Sequence, residues 1–185
     1  MGFWRMMLRM LVGFFFFGHG TQKLFGWFGW FGGKGLAETE KGFAKLGLKP
    51  ARENAIAAGL TEAGGGAMLA VGLETPLAAA VLTATMLTAI KRVHLQNGPW
   101  NTNGGYEYNA VLIAALLMLV EVGPGKLSLD RALGRSRSGF GWAGLALGGG
   151  ALGAYAVDAL AERKLPAVPW LENAPASETS ERLAV

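Results

Sequence analysis

Apolar residues come in long runs separated by turn residues, and the few polar residues inside those runs sit at selected depths. Met6–Phe25 reads MMLRMLVGFFFFGHGTQKLF. Its first two-thirds are apolar apart from Arg9, and His19, Gln22 and Lys23 follow. The run is long enough to cross a bilayer at about 20 residues. His19 and Lys23 are four apart, so on a helix they share a face, and Gln22 lies beside them. Ionisable groups inside a membrane span are costly and point to function.

The rest of the chain repeats the pattern. Gly32 to Lys49 is a polar connection in which Leu36, Phe43 and Leu46 fall on one helical face, as in a short helix lying on a membrane surface. Gly47 is placed to end that helix and Pro50 to open the next. Asn54–Leu73 is the second run, with Gly59, Ala63, Gly64, Gly65 and Gly66 allowing close helix approach and Glu62 about a third of the way in. The short turn Gly72–Pro76 predicts a hairpin to the third run, Pro76–His94, which closes on Lys91, Arg92 and His94. Tyr106–Val122 is the fourth run, with Glu107 at its start and Glu121 at its end, and Gly123-Pro124-Gly125 stops it. Gly139–Leu160 is a weaker, glycine-rich apolar run whose one charge is Asp158. The expected fold is therefore an all-α membrane protein, an antiparallel four-helix transmembrane bundle, with this last run as a candidate fifth span. Residues 1–133 form the bundle domain, 134–161 a linker with the candidate fifth helix, and 162–185 a polar tail that reads as disordered.

Alternation of direction then brings the polar residues together. With the face reached at Phe25 called the far face, His19 lies about 9 Å and Glu62 about 12 Å from it, at roughly 1.5 Å per residue. The third run returns to that face with Lys91, Arg92 and His94, and the fourth leaves it with Glu107 and Tyr108. The near half is almost purely apolar, with Arg9, Glu74 and Glu121 at its margin. Pairing lowers the cost of such charges. Glu62 with Lys23 or Lys91, and Glu107 with Arg92, are the candidate pairs.

Composition agrees. Of 185 residues 51% are hydrophobic and 16% charged, against roughly 25% charged in soluble domains. The net charge of +4 comes without the basic stripe that nucleic-acid binding requires. The absence of cysteine excludes disulfides, thiolate nucleophiles and cysteine-held iron–sulfur clusters. Arg5 and Arg9 before an apolar run imitate a signal peptide, but bulky Leu24, Phe25, Trp27 and Phe28 follow where a cleavage site would need small residues, so a retained span is expected. Basic residues are spread over both sides. A cytoplasmic N-terminus is the expected orientation, with the polar pocket in the outer half of the plasma (inner) membrane.

Several of these residues have ordinary structural uses. Lys91, Arg92 and His94 at a helix end can snorkel to the interface, and Glu107 suits a helix N-terminus. Trp27, Trp30, Trp100 and Tyr106 read as interfacial anchors. Glu62 and the His19/Lys23 pair are harder to explain in that way. A haem held by His19 and His94, or a metal on His19, His94 and Glu62, is the weaker chemistry, and no metal site is predicted.

GFFFFGHGTQKLFGWFG, GLTEAGGGAMLAVGL, TAIKRVH and GGYEYNAVLIAALLMLVEVGPGKLSLD, in that order, resemble the DoxX family of small integral membrane proteins over residues 5–133. The resemblance implies a four-helix membrane bundle. Through the related DoxD, the membrane subunit of a thiosulfate:quinone oxidoreductase, it also implies a redox role involving quinone or a partner oxidoreductase. The leading expectation is a membrane subunit of a redox system whose pocket takes a quinone or a small anion. His19 and Glu62 would move the proton, and Gln22, Lys23, Lys91, Arg92, His94, Glu107 and Tyr108 would line the substrate. Quinone is the one cofactor-like molecule expected, and any enzyme activity would be quinone-linked oxidoreduction. The rivals are an anchor that recruits soluble redox enzymes and a small-solute or proton-coupled transporter, which at this size would call for a homo-oligomer. The expected partners are the bilayer and soluble redox enzymes, not nucleic acid.

Overall fold

A computed structural model describes residues 2–27, 35–135 and 137–162, which are helical without a strand among them. The elements are α1 (Phe3–Phe25), α2 (Leu36–Lys45), α3 (Ala51–Val71), α4 (Thr75–Ala89), α5 (Glu107–Val122), α6 (Leu129–Ala132) and α7 (Phe140–Glu162). The expected Trp30 anchor and the tail from 163 onward lie outside the described residues. The helix continuing from α4, Thr75–Asn97, and the stretch Phe140–Ala161 are each long and apolar enough to cross a membrane. α1 and α3 have the length, at 23 and 21 residues, but carry Arg5, Arg9 and Lys23, and Arg52, Glu53 and Glu62. α5 has 16 residues.

The helices end where the sequence supplies a left-handed residue. α2 closes on Gly47, with φ 72°, and the Leu48 N–H reaches back to the Phe43 carbonyl at 3.0 Å, which satisfies carbonyls the helix leaves open. α3 ends in the same way at Gly72 (φ 68°), where Leu73 N–H donates to the Met68 carbonyl at 2.8 Å. The tight turn returns the chain as an antiparallel α3–α4 hairpin.

α1 packs chiefly on α3, and α4 chiefly on α7. Glycine makes the first contact possible. A Cβ built on Gly20 would stand 2.2 Å from the Ala63 nitrogen, and one on Gly66 would stand 2.4 Å from the Phe17 nitrogen. The two backbones therefore touch at two levels three residues apart, the close approach that small residues permit between helices. α7 uses the same device. Gly150 lies against Thr83 and Gly153 against Ala84, so α7 runs parallel to α4. Its buried positions Ala143, Ala146, Gly150, Ala154 and Asp158 recur every three or four residues.

The near end is locked by polar groups. Arg9, expected at the margin, is buried at 3% exposure. Its guanidinium donates to the carbonyls of Ala70 (3.2 Å), Leu127 (2.7 Å) and Pro124. It thereby fastens α1 to the end of α3 and to the loop after α5. Asp130, also buried, accepts from Glu74 N–H (2.7 Å), Thr75 N–H (3.0 Å) and Thr75 Oγ1 (2.8 Å), capping the exposed donors at the start of α4. Asp130→Ala is expected to cost about 2 kcal/mol, the loss of a buried cap that satisfies more than one donor. A lowered melting temperature in detergent, partly restored by Asp130→Asn, would show it.

Outside the bundle the surface is apolar where a soluble protein would be polar. Phe14, Val111, Met118, Leu145 and Leu152 are all more than half exposed, and they come from α1, α5 and α7. Exposed apolar area of this kind marks a membrane or protein contact.

Candidate functional site

The bundle holds a cavity of about 730 Å³. It opens because α1 and α3 form one tight pair and α4, α5 and α7 another group, with little direct packing between α1 and α5. Small residues on α3 and α4, among them Ala57, Ala58, Ala80, Ala84 and Ala89, leave the space. On α4 the lining residues Leu77, Ala80, Val81, Ala84, Thr88 and Arg92 follow one helical face. At about 1.5 Å per residue that stripe is roughly 22 Å long. Phe43, Leu46 and Leu48, from α2 and the turn after it, cover the far end. The amphipathic α2 thus contributes Phe43 to the cavity wall. On its exposed side Lys41 pairs with Glu38 at 2.8 Å, and this carboxylate holds the ammonium above its ordinary range.

Most of the wall is apolar, and polar groups enter at one end. Lys23 donates to Glu62 at 2.5 Å, and the carboxylate side chain is only 4% exposed. Of the two partners expected for Glu62, Lys23 is therefore the one in contact. Helix reversal explains it: Lys23 and Glu62 meet beside the Gly20–Gly59 crossing of α1 and α3. His19 lines the cavity and its Nδ1 lies 3.1 Å from Gln22 Oε1. With Nδ1–H donating to that amide oxygen, Nε2 is left as the ring's acceptor. Gln22 itself is turned to this task and is not part of the wall.

The end of α4 departs from regular α-helix. Ile90–His94 form one π-helical turn, a local widening often found at functional sites. It carries Lys91, Arg92 and His94. Arg92 and His94 line the cavity, and Lys91 does not. The expected Arg92–Glu107 pair is replaced by another. Asp158, on the small-residue face of α7, receives Arg92 Nε at 2.7 Å and Lys91 Nζ at 2.6 Å. Because α7 runs parallel to α4, Asp158 arrives level with the π turn. Glu107 instead accepts the Asn101 backbone N–H at 2.8 Å. His94 Nδ1 lies 2.7 Å from the Gly104 carbonyl. Both contacts hold the loop between α4 and α5 over the far end. Tyr108 and Asn109 begin the α5 wall. Asn109 is buried, with its amide nitrogen 3.4 Å from Met86 Sδ.

Of the residues expected at the site, His19, Lys23, Glu62, Arg92, His94 and Tyr108 share this one cavity. Gln22, Lys91 and Glu107 stand behind it as supports. Sequence reasoning missed Asn109 and Asp158 as parts of the arrangement. Asp158 had a legible signal, since it is the single charge in an apolar run, the same reason that singled out Glu62. No group of three His, Asp or Glu side chains is placed to hold a metal ion among the described residues.

A family model described as DoxX matches residues 5–95. No curated protein and no solved structure matches the chain.

Proposed function

This chain belongs to the DoxX family of membrane proteins, and from that premise we propose that it is a multi-pass inner-membrane redox subunit whose cavity binds a lipid-soluble quinone. In this reading α1, α3, α4 and α5 cross the membrane as an antiparallel four-helix bundle and α7 is a fifth span. The exposed apolar belt on α1, α5 and α7 supports that placement, and α2 lies on the far surface.

The observation that carries the quinone reading is the polarity gradient of one cavity. The head of the space holds His19, Lys23, Glu62, Arg92 and Asn109, and the remainder along α4 is lined by Leu77, Ala80, Val81 and Ala84. A ligand with a polar ring and a hydrocarbon tail matches such a gradient. A small sulfur oxyanion matches it less well, because each cation lining the cavity already has a carboxylate: Lys23 has Glu62 and Arg92 has Asp158. Capturing an anion would strip one of these pairs and leave a buried carboxylate alone, at a cost of about 3–5 kcal/mol. A neutral quinone carbonyl asks only for a hydrogen bond, which Lys23, Arg92 or Asn109 can donate without losing its partner.

A quinone takes up two electrons and two protons on reduction, with electrons delivered by a soluble redox enzyme at the membrane face. In this reading the exposed His19 takes up a proton from water on Nε2 and passes it to a quinone oxygen, twice for each quinone reduced, and the Lys23–Glu62 pair holds the quinone ring in place. A short-chain quinone analogue titrated into the purified protein is expected to bind saturably, and Glu62→Gln to weaken it at least about tenfold, the equivalent of 1.4 kcal/mol. No saturable binding, or identical affinity in the variant, overturns the reading.

A further inference from the structure

We infer that Asp158 sets the charge selectivity of the cavity, and so decides that it takes a neutral ligand rather than a small anion. The inference rests on the cavity being a ligand site, as proposed above, but concerns a residue outside the stretch matched by the family, 5–95.

The geometry is specific. The Asp158 side chain is 7% exposed and touches two cations at once. Oδ1 takes the Arg92 guanidinium and Oδ2 takes Lys91 Nζ at 2.6 Å. Arg92 belongs to the cavity wall and has a side chain only 19% exposed. Lys91 is more than half exposed and needs no partner to stay solvated. Arg92 is therefore the cation whose behaviour Asp158 controls. With Asp158 in place the wall presents two ion pairs and no unmatched charge. Without it, a planar bidentate donor faces a mostly apolar space without its carboxylate. Such a group binds oxyanions strongly, because a guanidinium matches their geometry and low surrounding polarity strengthens the attraction.

The position on α7 suits this use. Asp158 continues the face Ala143, Ala146, Gly150 and Ala154, where every other buried residue is small. Helix docking is already provided by Gly150 on Thr83 and Gly153 on Ala84. A carboxylate is not needed there to close the packing, and its contacts are with the π turn that carries the cavity's arginine.

The test is a set of four titrations on the full-length protein in detergent: wild type and Asp158→Asn, each with a quinone analogue and with thiosulfate. Wild type is expected to bind the quinone and to show no saturable thiosulfate binding. Asp158→Asn is expected to bind thiosulfate saturably, at concentrations at least about tenfold below the highest at which wild type shows none, within the range measured for close charge pairs. The double variant Arg92→Gln/Asp158→Asn is expected to lose that gain, which a purely structural role for Asp158 would not predict. Asp158→Ser, in keeping with the small-residue face, carries the same test should the asparagine variant fail to fold. A folded Asp158 variant with no gain in anion binding overturns the inference. Failure of the quinone reading is read separately, in the wild-type quinone titration alone.

Discussion

Gly66→Leu is expected to abolish recovery of monodisperse protein in detergent, while Gly64→Leu, two residues away in the same Gly-Gly-Gly run, is recovered at the wild-type yield. The difference lies in what each position faces. A Cβ at Gly66 would come within 2.4 Å of the Phe17 nitrogen and 2.6 Å of the Gly13 carbonyl, both backbone atoms, and Gly64 has nothing within 4 Å. Backbone cannot swing aside as a side chain can, so α1 and α3 would have to separate. Separation forfeits the contact along the whole pair, and overpacking of a tight interface costs about 1–3 kcal/mol or more even where repacking is available. Here it is not, because Gly20 meets Ala63 and Gly59 one level further on. Gly20→Leu should therefore fail as Gly66→Leu does, and Gly18→Leu, which also faces open space, should not. Size-exclusion profiles of the four variants check this. Equal behaviour of Gly64→Leu and Gly66→Leu would mean that α1 and α3 do not cross in this register.

The second large effect belongs to the ion pair. Lys23→Met is expected to destabilise the protein by about 3 kcal/mol, since it leaves a carboxylate that is 4% exposed without its cation. The Lys side chain itself is 26% exposed, so the value falls at the low end of the range for buried pairs. The double variant Lys23→Met/Glu62→Met should be more stable than Lys23→Met alone. Removing both charges also removes the desolvation penalty, and two apolar side chains of similar size can fill the space. Thermal melts of the two variants in detergent decide the matter. A double variant no better than the single would show that Glu62 has another partner.

Much of this was legible in the sequence because it follows from helix reversal. Two runs of opposite direction and an estimate of depth bring Lys23, Lys91 and Glu62 to one level, and the structure selects Lys23 as the partner of Glu62. The end of α2 at Gly47 and the hairpin at Gly72 follow from glycine's access to positive φ. Four things were not legible. The Gly64-Gly65-Gly66 run does not reveal which glycine faces α1, since that depends on how the helix is rotated. The π turn at Ile90–His94 leaves no mark in the apolar pattern. Depth alone pairs Arg92 with Glu107 of α5, since the third run ends and the fourth begins at the far face. Asp158 took that place because α7 lies parallel to α4, a relation set by glycines on α7 meeting Thr83 and Ala84. The near-end role of Arg9 was missed for a related reason. A lone arginine in an apolar run looks marginal until three backbone carbonyls are seen to converge on it.

Occupancy of the cavity by a tailed quinone is read out by mass spectrometry of the lipids extracted from the purified protein. Two samples are compared, wild type and Ala58→Trp, in which an indole would extend from the α3 wall into the cavity. An isoprenoid quinone near one per chain in wild type, and greatly reduced in Ala58→Trp while the folded protein is retained, is the predicted result. Only bulk phospholipid in both samples, or the same quinone content in both, would contradict it.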